Sequence, residues 1–247
     1  MIINAVAVLV LTMMMSACDG IFNGIYDDPQ GDDDIKPGFN GRPEDTRYLL
    51  VLDARSYNSW VYVDLHGKKL ETHMMPDTIR VPQPWDGKSQ WTYYAVNGSV
   101  YEEHRHLPTM AQEDAQQWDF AVHVFDVKTN GGAALETDCY SIDEAPETSA
   151  AFEGATFSKD EWTKHQCIVD LSGMLSYDVW YMSSYANLVL SNWVTMDFST
   201  PPPVYSATKK VYVLRMKDGT YAALQLLDYM SDTGTKGFLT IDVKYPY

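Results

Sequence analysis

The chain of 247 residues lacks the patterns that mark common enzymes: no GxSxG, HExxH, CxxC, P-loop or GxGxxG sequence occurs, and no carboxylate pair stands out from its 34 acidic residues. Catalysis therefore has no positive support, and binding is the expected role. Basic charge is also scarce. Eighteen Lys and Arg against 34 Asp and Glu leave a net charge of −16 and a pI near 4.6. A phosphate backbone would be repelled, and no Lys/Arg cluster offers the footprint that nucleic acid requires. Cysteine is limited to three positions, 18, 139 and 167. If Cys18 belongs to a leader, one pair is left, and for Cys139 and Cys167 a disulfide and two free thiols are both open, because sequence does not supply the Cα separation a bridge needs.

No apolar run is long enough for a transmembrane helix. Residues 5–15, AVAVLVLTMMM, are too short to span a bilayer stably. Ser16-Ala17-Cys18 follows them, small residues before a cysteine, which resembles a lipobox, although no Lys or Arg precedes the apolar run. The expected organisation is a lipoprotein signal peptide over 1–17, an acidic flexible tether over 18–46 with a lipidated Cys18, and one domain over 47–247. Two acyl chains on Cys18 would make attachment to a membrane stable. The tether is rich in Asp, Gly and Pro and poor in apolar residues, so it cannot bury enough surface to order itself. Asp32-Asp33-Asp34 within it lacks the glycine and glutamate spacing of a calcium loop and reads as a solvated spacer.

Helical periodicity is nearly absent; AQEDAQQ (111–117) is the one stretch that looks helical. Aromatics are abundant, with 17 Tyr and 7 Trp, and β-branched residues fall in short runs. YLLVLD (48–53) and WVYVDL (60–65) read as a first hairpin, with a turn at Gly67-Lys68-Lys69. Pro76 to Asp86 should be irregular. WTYYAV (91–96) is a strand leading to a tight turn at Asn97-Gly98. Residues 118–127 alternate as one half-buried strand, ended at 128–132. KVYVLRM (210–216) and YAALQLLDY (221–229) form a hairpin, and FLTIDVKY (238–245) adds another strand. The expected fold class is all-β: a single, mainly antiparallel domain with few or no helices.

Two groups of residues can ligate metals. His104 and His106, spaced i, i+2, would share a face on a strand, although a loop beside Pro108 is the more ordinary reading. Twelve methionines offer soft thioethers able to coordinate haem iron, although most methionines only fill cores. Met174, in VDLSGML, and Met196, in NWVTMDFSTPPPVY, each sit beside a loop signal where a side chain can project into a cleft.

WDFAVHVFDVKTNGG (118–132), KKVYVLRMKDGTYAALQLLDYMSDTGTKGFLTIDVKYPY (209–247) and DARSYNSWVYVDLHGKKL (53–70) resemble the HmuY-like haem-binding outer-membrane lipoproteins of anaerobic Gram-negative bacteria. The resemblance implies a haemophore with haem (iron protoporphyrin IX) as its ligand. Such a protein is lipid-anchored at the cell surface, takes haem from host haemoproteins and passes it to a TonB-dependent outer-membrane receptor. It implies two axial ligands on facing loops, histidines in some members and methionines in others. Where the histidine-type members carry their second ligand this chain has VTMDFSTPPPVY, so Met196 is the expected substitute. Met174 is the expected first ligand, with Met182 and His165 as alternatives. His123 matches a family histidine outside the ligand pair and is expected to be structural. The alternative is a surface lipoprotein of the same fold that binds a glycan or a partner protein without haem.

Overall fold

A computed structural model describes residues 36–42, 44–57, 59–74, 89–94, 100–106, 114–173, 178–197, 199 and 203–247. The leader, Cys18, Asp32 to Asp34, the segment 76–86 and Asn97-Gly98 lie outside the described residues. Seven strands form the largest sheet, in the order β1 (Gly38–Asn40), β2 (Arg47–Asp53), β17 (Lys236–Lys244), β16 (Tyr221–Met230), β15 (Val211–Arg215), β9 (Ala133–Glu136) and β10 (Ser158–Lys159). A second sheet has the order β4 (Lys69–Met74), β3 (Ser59–Asp64), β7 (Phe120–His123), β8 (Asp126–Thr129). A third is ordered β11 (Glu161–Gly173), β12 (Asp178–Ala186), β5 (Ser89–Tyr94), β6 (Val100–His106), and β13 (Val194–Asp197) pairs with β14 (Val204–Ala207) as a separate ribbon. Every pairing is antiparallel. The fold is all-β; among the described residues it has one helical turn, α1 (Leu188–Ser191), and one 3-10 turn (Ser149–Phe152).

The core follows from the period-two alternation of the strands. Tyr48, Leu50 and Leu52 of β2, Tyr212 and Leu214 of β15, and Leu239, Ile241 and Val243 of β17 turn to one side. There they meet Val61 and Val63 of β3, Phe120 and Val122 of β7, and Val127 of β8. Trp60, Trp193, Tyr62, Tyr212 and Phe120 are fully buried, and burying a side chain of this kind contributes about 1.5–3 kcal/mol before entropic costs. The opposite face of the large sheet is also covered. Ile142 packs on Val211 and Ala223, joined by Tyr247 and Cys139, and Arg47 links this covering segment to the sheet by pairing with both Asp143 and Asp242.

The structure departs from the sequence reading at several points. β2 and β3 do not form a hairpin: β2 pairs with β1 and β17, whereas β3 pairs with β4 and β7, so each lies in a different layer. The expected strand over 118–127 is broken into β7 and β8, which fold back on each other around Val124 and Phe125, with Val124 at φ 56°. AQEDAQQ is not a helix where it is described, because residues 114–117 are irregular and the Asp114 carboxylate is engaged by Tyr62 and Lys128; residues 111–113 lie outside the described part. Order also begins before residue 47. β1, inside the segment expected to be tether, pairs with β2, and the Phe39 ring lies 5.4 Å from that of Tyr48. The C-terminal hairpin β15–β16 and strand β17 stand as the sequence indicates.

Candidate functional site

The β13–β14 ribbon is fixed to the core from its base. Asn187 caps α1 by accepting the Leu190 N–H at 3.1 Å, and its own amide donates to the Ser158 carbonyl at 2.9 Å. Ser191 Oγ accepts the Val127 N–H at 2.9 Å, and the buried Trp193 indole donates to the Phe125 carbonyl at 2.9 Å. The ribbon then leaves the core in register, with Val194 opposite Ala207 and Met196 opposite Tyr205. Directly opposed residues of an antiparallel pair share a face, and so do residues two apart. Val194 is buried, and Ala207 and Tyr205 pack on the core, so Met196 belongs to the inner face. It is nevertheless 41% exposed. Its side chain is thus assigned to the inner side of the ribbon by register and is partly exposed.

An aromatic wall stands beside it. Tyr205 stacks on Tyr229 with ring centroids 5.6 Å apart, and Phe125 lies 6.4 Å from Tyr205 and 6.3 Å from Tyr229. Burial raises the pKa of both tyrosines, that of Tyr229 most, so their hydroxyls stay neutral and neither is a phenolate ligand at ordinary pH. The Lys236 ammonium lies 4.6 Å from the Tyr205 ring centroid and donates to the Pro203 carbonyl at 3.2 Å. Arg55 stacks in the same manner on Phe238, two residues further along β17. Spacing does not single out these aromatic and cationic partners, since they come from the β7–β8 turn, β14, β16, β17 and the segment after β2 and meet only in the folded chain.

Of the other expected ligands, Met174 lies outside the described residues, just past the end of β11. His165 falls in β11 between Thr163 and Cys167, where the register with β12 shifts, and Met182 stands opposite Cys167 on β12. The β11–β12 pair contains three such irregularities, each of which bends a strand. His104 and His106 lie on β6, a strand and not a loop. Cys139 is a free cysteine whose thiol points to the Glu144 carbonyl at 3.7 Å. The bridge to Cys167 is therefore not made: Cys139 follows β9 under the large sheet, and Cys167 belongs to a strand of the third sheet.

Two further histidines can be weighed against metal binding. His123 is fully buried; its Nε2–H donates to the Tyr57 carbonyl at 3.0 Å, and its ring lies 5.3 Å from Trp60. A carbonyl only accepts, so the tautomer is set by this bond, and the role is structural. Asp64, His66 and Asp119 bring ligand atoms within 4.8 Å of one another. However, His66 Nδ1 faces Asp119 at 3.2 Å and its Nε2 faces Asp218 at 2.9 Å. Both ring nitrogens are therefore already engaged by carboxylates; burial lowers the His66 pKa, but these hydrogen bonds outweigh it and raise the pKa, so a metal would have to displace one of these contacts.

The described residues thus form an all-β scaffold of antiparallel sheets with an exposed methionine beside an aromatic wall. The chain belongs to the HmuY family, whose model, described as HmuY protein, matches residues 56–243. No curated protein matches the chain. Among solved structures it is similar to a candidate HmuY-like heme binding protein of Bacteroides vulgatus, with 32% identity and a TM-score of 0.65, over 86% of this chain and 99% of that one. A candidate lipoprotein of Bacteroides fragilis aligns at 32% identity and TM-score 0.62, over 85% and 97% of the two chains. The apo HmuY analogue of Tannerella forsythia aligns at 25% identity and TM-score 0.59, over 80% and 94%. Among the described residues, no helix is long and apolar enough to cross a membrane.

Proposed function

We propose that this protein is a haemophore, a binding protein without enzymatic activity, that holds haem with Met196 as one axial ligand and Met174 as the other. The observation that carries the reading is Met196 itself: an apolar, soft donor on the inner face of its ribbon, 41% exposed, beside the Phe125, Tyr205 and Tyr229 rings. Most methionines fill cores, and one left open beside an aromatic wall fits a flat, apolar ligand with a soft-accepting metal at its centre. Bound haem would supply an iron that thioethers hold better in the ferrous state. Membership of the HmuY family and likeness to a candidate heme binding protein support the choice of ligand. Lipidation at Cys18, an outer-membrane location, capture from host haemoproteins and transfer to a TonB-dependent receptor are part of the same proposal. Likeness to a candidate lipoprotein agrees with the anchor. His165 and Met182 are the alternatives to Met174.

The test is a visible-absorption titration with haemin before and after dithionite, on the wild type and on Met196→Ala, Met174→Ala and the double variant. A saturable 1:1 change that sharpens to a low-spin spectrum on reduction, and is lost in the double variant, is expected. Retention of that spectrum in the double variant would transfer the ligand role to Met182 or His165, and absence of any change in the wild type would remove haem.

A second reading keeps the fold without haem, as a surface protein that binds a glycan or a partner. It draws on Trp162 and Tyr185, opposed on β11 and β12 with rings 5.0 Å apart and both more than half exposed. Large aromatics left open in this way often mark contact surfaces. Glycan-dependent quenching of tryptophan fluorescence that disappears in Trp162→Ala would favour it.

A further inference from the structure

We infer that Lys236 is the group that receives a carboxylate at the edge of the ligand, a porphyrin propionate, and so sets which way round the ring sits against the Tyr205 wall. This rests on the haem reading above. Haem carries two propionates, ionised at neutral pH like other carboxylates, whereas the chain carries a net charge of −16. An anionic ligand approaching this surface meets a repulsive field, and a cation at the site itself has to offset it.

Four cations are paired with carboxylates among the described residues. Arg47 is paired with Asp143 and Asp242, Arg55 with Asp53, Lys128 with Asp114, and Lys210 with Glu136. Lys236 has no carboxylate within ion-pair distance among the described residues. Its Nζ makes one hydrogen bond, to the Pro203 carbonyl at 3.2 Å. An ammonium has three donors, so two N–H groups remain for a carboxylate.

Position distinguishes Lys236 from other open lysines. Its Nζ lies 4.6 Å from the centroid of the Tyr205 ring, and Tyr205 is the cross-strand partner of Met196, which places their Cβ atoms about 5 Å apart. A thioether suited to the metal and an ammonium suited to an acidic edge therefore flank one aromatic ring. The side chain is also aimed by its backbone. Lys236 opens β17 opposite Met230, and Gly237 follows at φ 89°, where an added Cβ would meet the Arg55 backbone at 3.0 Å. The strand start cannot shift without displacing Arg55.

The experiment compares haemin with haemin dimethyl ester, in which both carboxylates are masked, as titrants of the full chain at low and high salt. Wild type is expected to prefer haemin by about tenfold at low salt, as for a charge-assisted pair, with the preference shrinking as salt rises. Lys236→Gln should bring the ratio near one while leaving the reduced axial spectrum unchanged, and Lys236→Arg should restore the preference. A preference that survives in Lys236→Gln overturns this inference alone. Saturable binding of neither porphyrin to wild type overturns the haem reading and this inference with it.

Discussion

Met196 and Tyr205 stand opposite one another at the outer end of the β13–β14 ribbon, and only Tyr205 is backed by the core. The ring is thereby fixed by its stacking on Tyr229 while the thioether beside it is open. Replacing Tyr205 by Ala should weaken haemin binding by about two- to tenfold, the range of one aromatic contact of 0.5–1.5 kcal/mol. The axial spectrum should be kept, because the ligand atom is untouched. Equal affinity of Tyr205→Ala and wild type in a haemin titration would place the porphyrin elsewhere.

His66 makes stability depend on pH. Burial opposes its charging, but hydrogen bonds to Asp119 and Asp218 outweigh this and raise its pKa. A group whose pKa is raised on folding stabilises fully below its unfolded value, about 6.5, and that contribution is lost as pH rises through the folded value. The groups facing it are Asp119 before β7, Asp218 in the β15–β16 turn, Asp64 at the end of β3, and Tyr245, whose ring lies 5.1 Å away. Burial raises the pKa of Asp119 despite its bonds to Leu65 N–H and His66, which also favours the acid side, whereas the lowered pKa of Asp218 sets the lower limit. The chain should therefore melt at a higher temperature at pH 6 than at pH 8, and His66→Gln should flatten that difference. An unchanged slope in the variant would detach the effect from His66.

Lys128 is a buried cation on β8. Its Nζ lies 4.8 Å from the Trp60 and Tyr62 rings and 5.2 Å from Trp118, and it donates to Tyr62 Oη and Asp114, each at 2.8 Å. Lys128→Met keeps most of the volume and loses the cation–π attraction together with the bonds to Tyr62 and Asp114, at a cost of about 2 kcal/mol. Lys128→Ala should cost more, about 3 kcal/mol, because it also leaves a cavity between the rings. Urea unfolding midpoints rank wild type and the two variants; a Lys128→Met midpoint equal to wild type would mean that the charge contributes nothing, and equal midpoints for the two variants that the cavity does not.

The C-terminal hairpin was legible because VYVLR and YAALQLLDY flank Lys217-Asp218-Gly219, where Gly219 takes φ 90°. The break between β7 and β8 was not. Phe120, Ala121, Val122 and His123 are all buried, so the apparent alternation marked no solvent face, and a β-branched residue at positive φ is a conformation that propensity disfavours. The apparent first hairpin failed for a tertiary reason, since β2 and β3 complete two different layers. In the candidate site, Met196 was reached through the family likeness. The rings around it were invisible to spacing because Phe125, Tyr205 and Tyr229 meet only once a turn, a ribbon and a sheet strand are packed. Lys236 looks in sequence like any solvated lysine.

The Trp193 indole bond to the Phe125 carbonyl spans the seam between the ribbon and the β7–β8 turn. That bond and the Ser191 bond to Val127 are both internal to the protein, so the wall next to Met196 is held by contacts that the proposed ligand would not have to make. Binding on that side gives up little conformational freedom. On the haem reading, affinity gained by stiffening this half would be small, and variants selected for tighter capture should accumulate away from it, the β11–β12 pair with its three register shifts being the place to look.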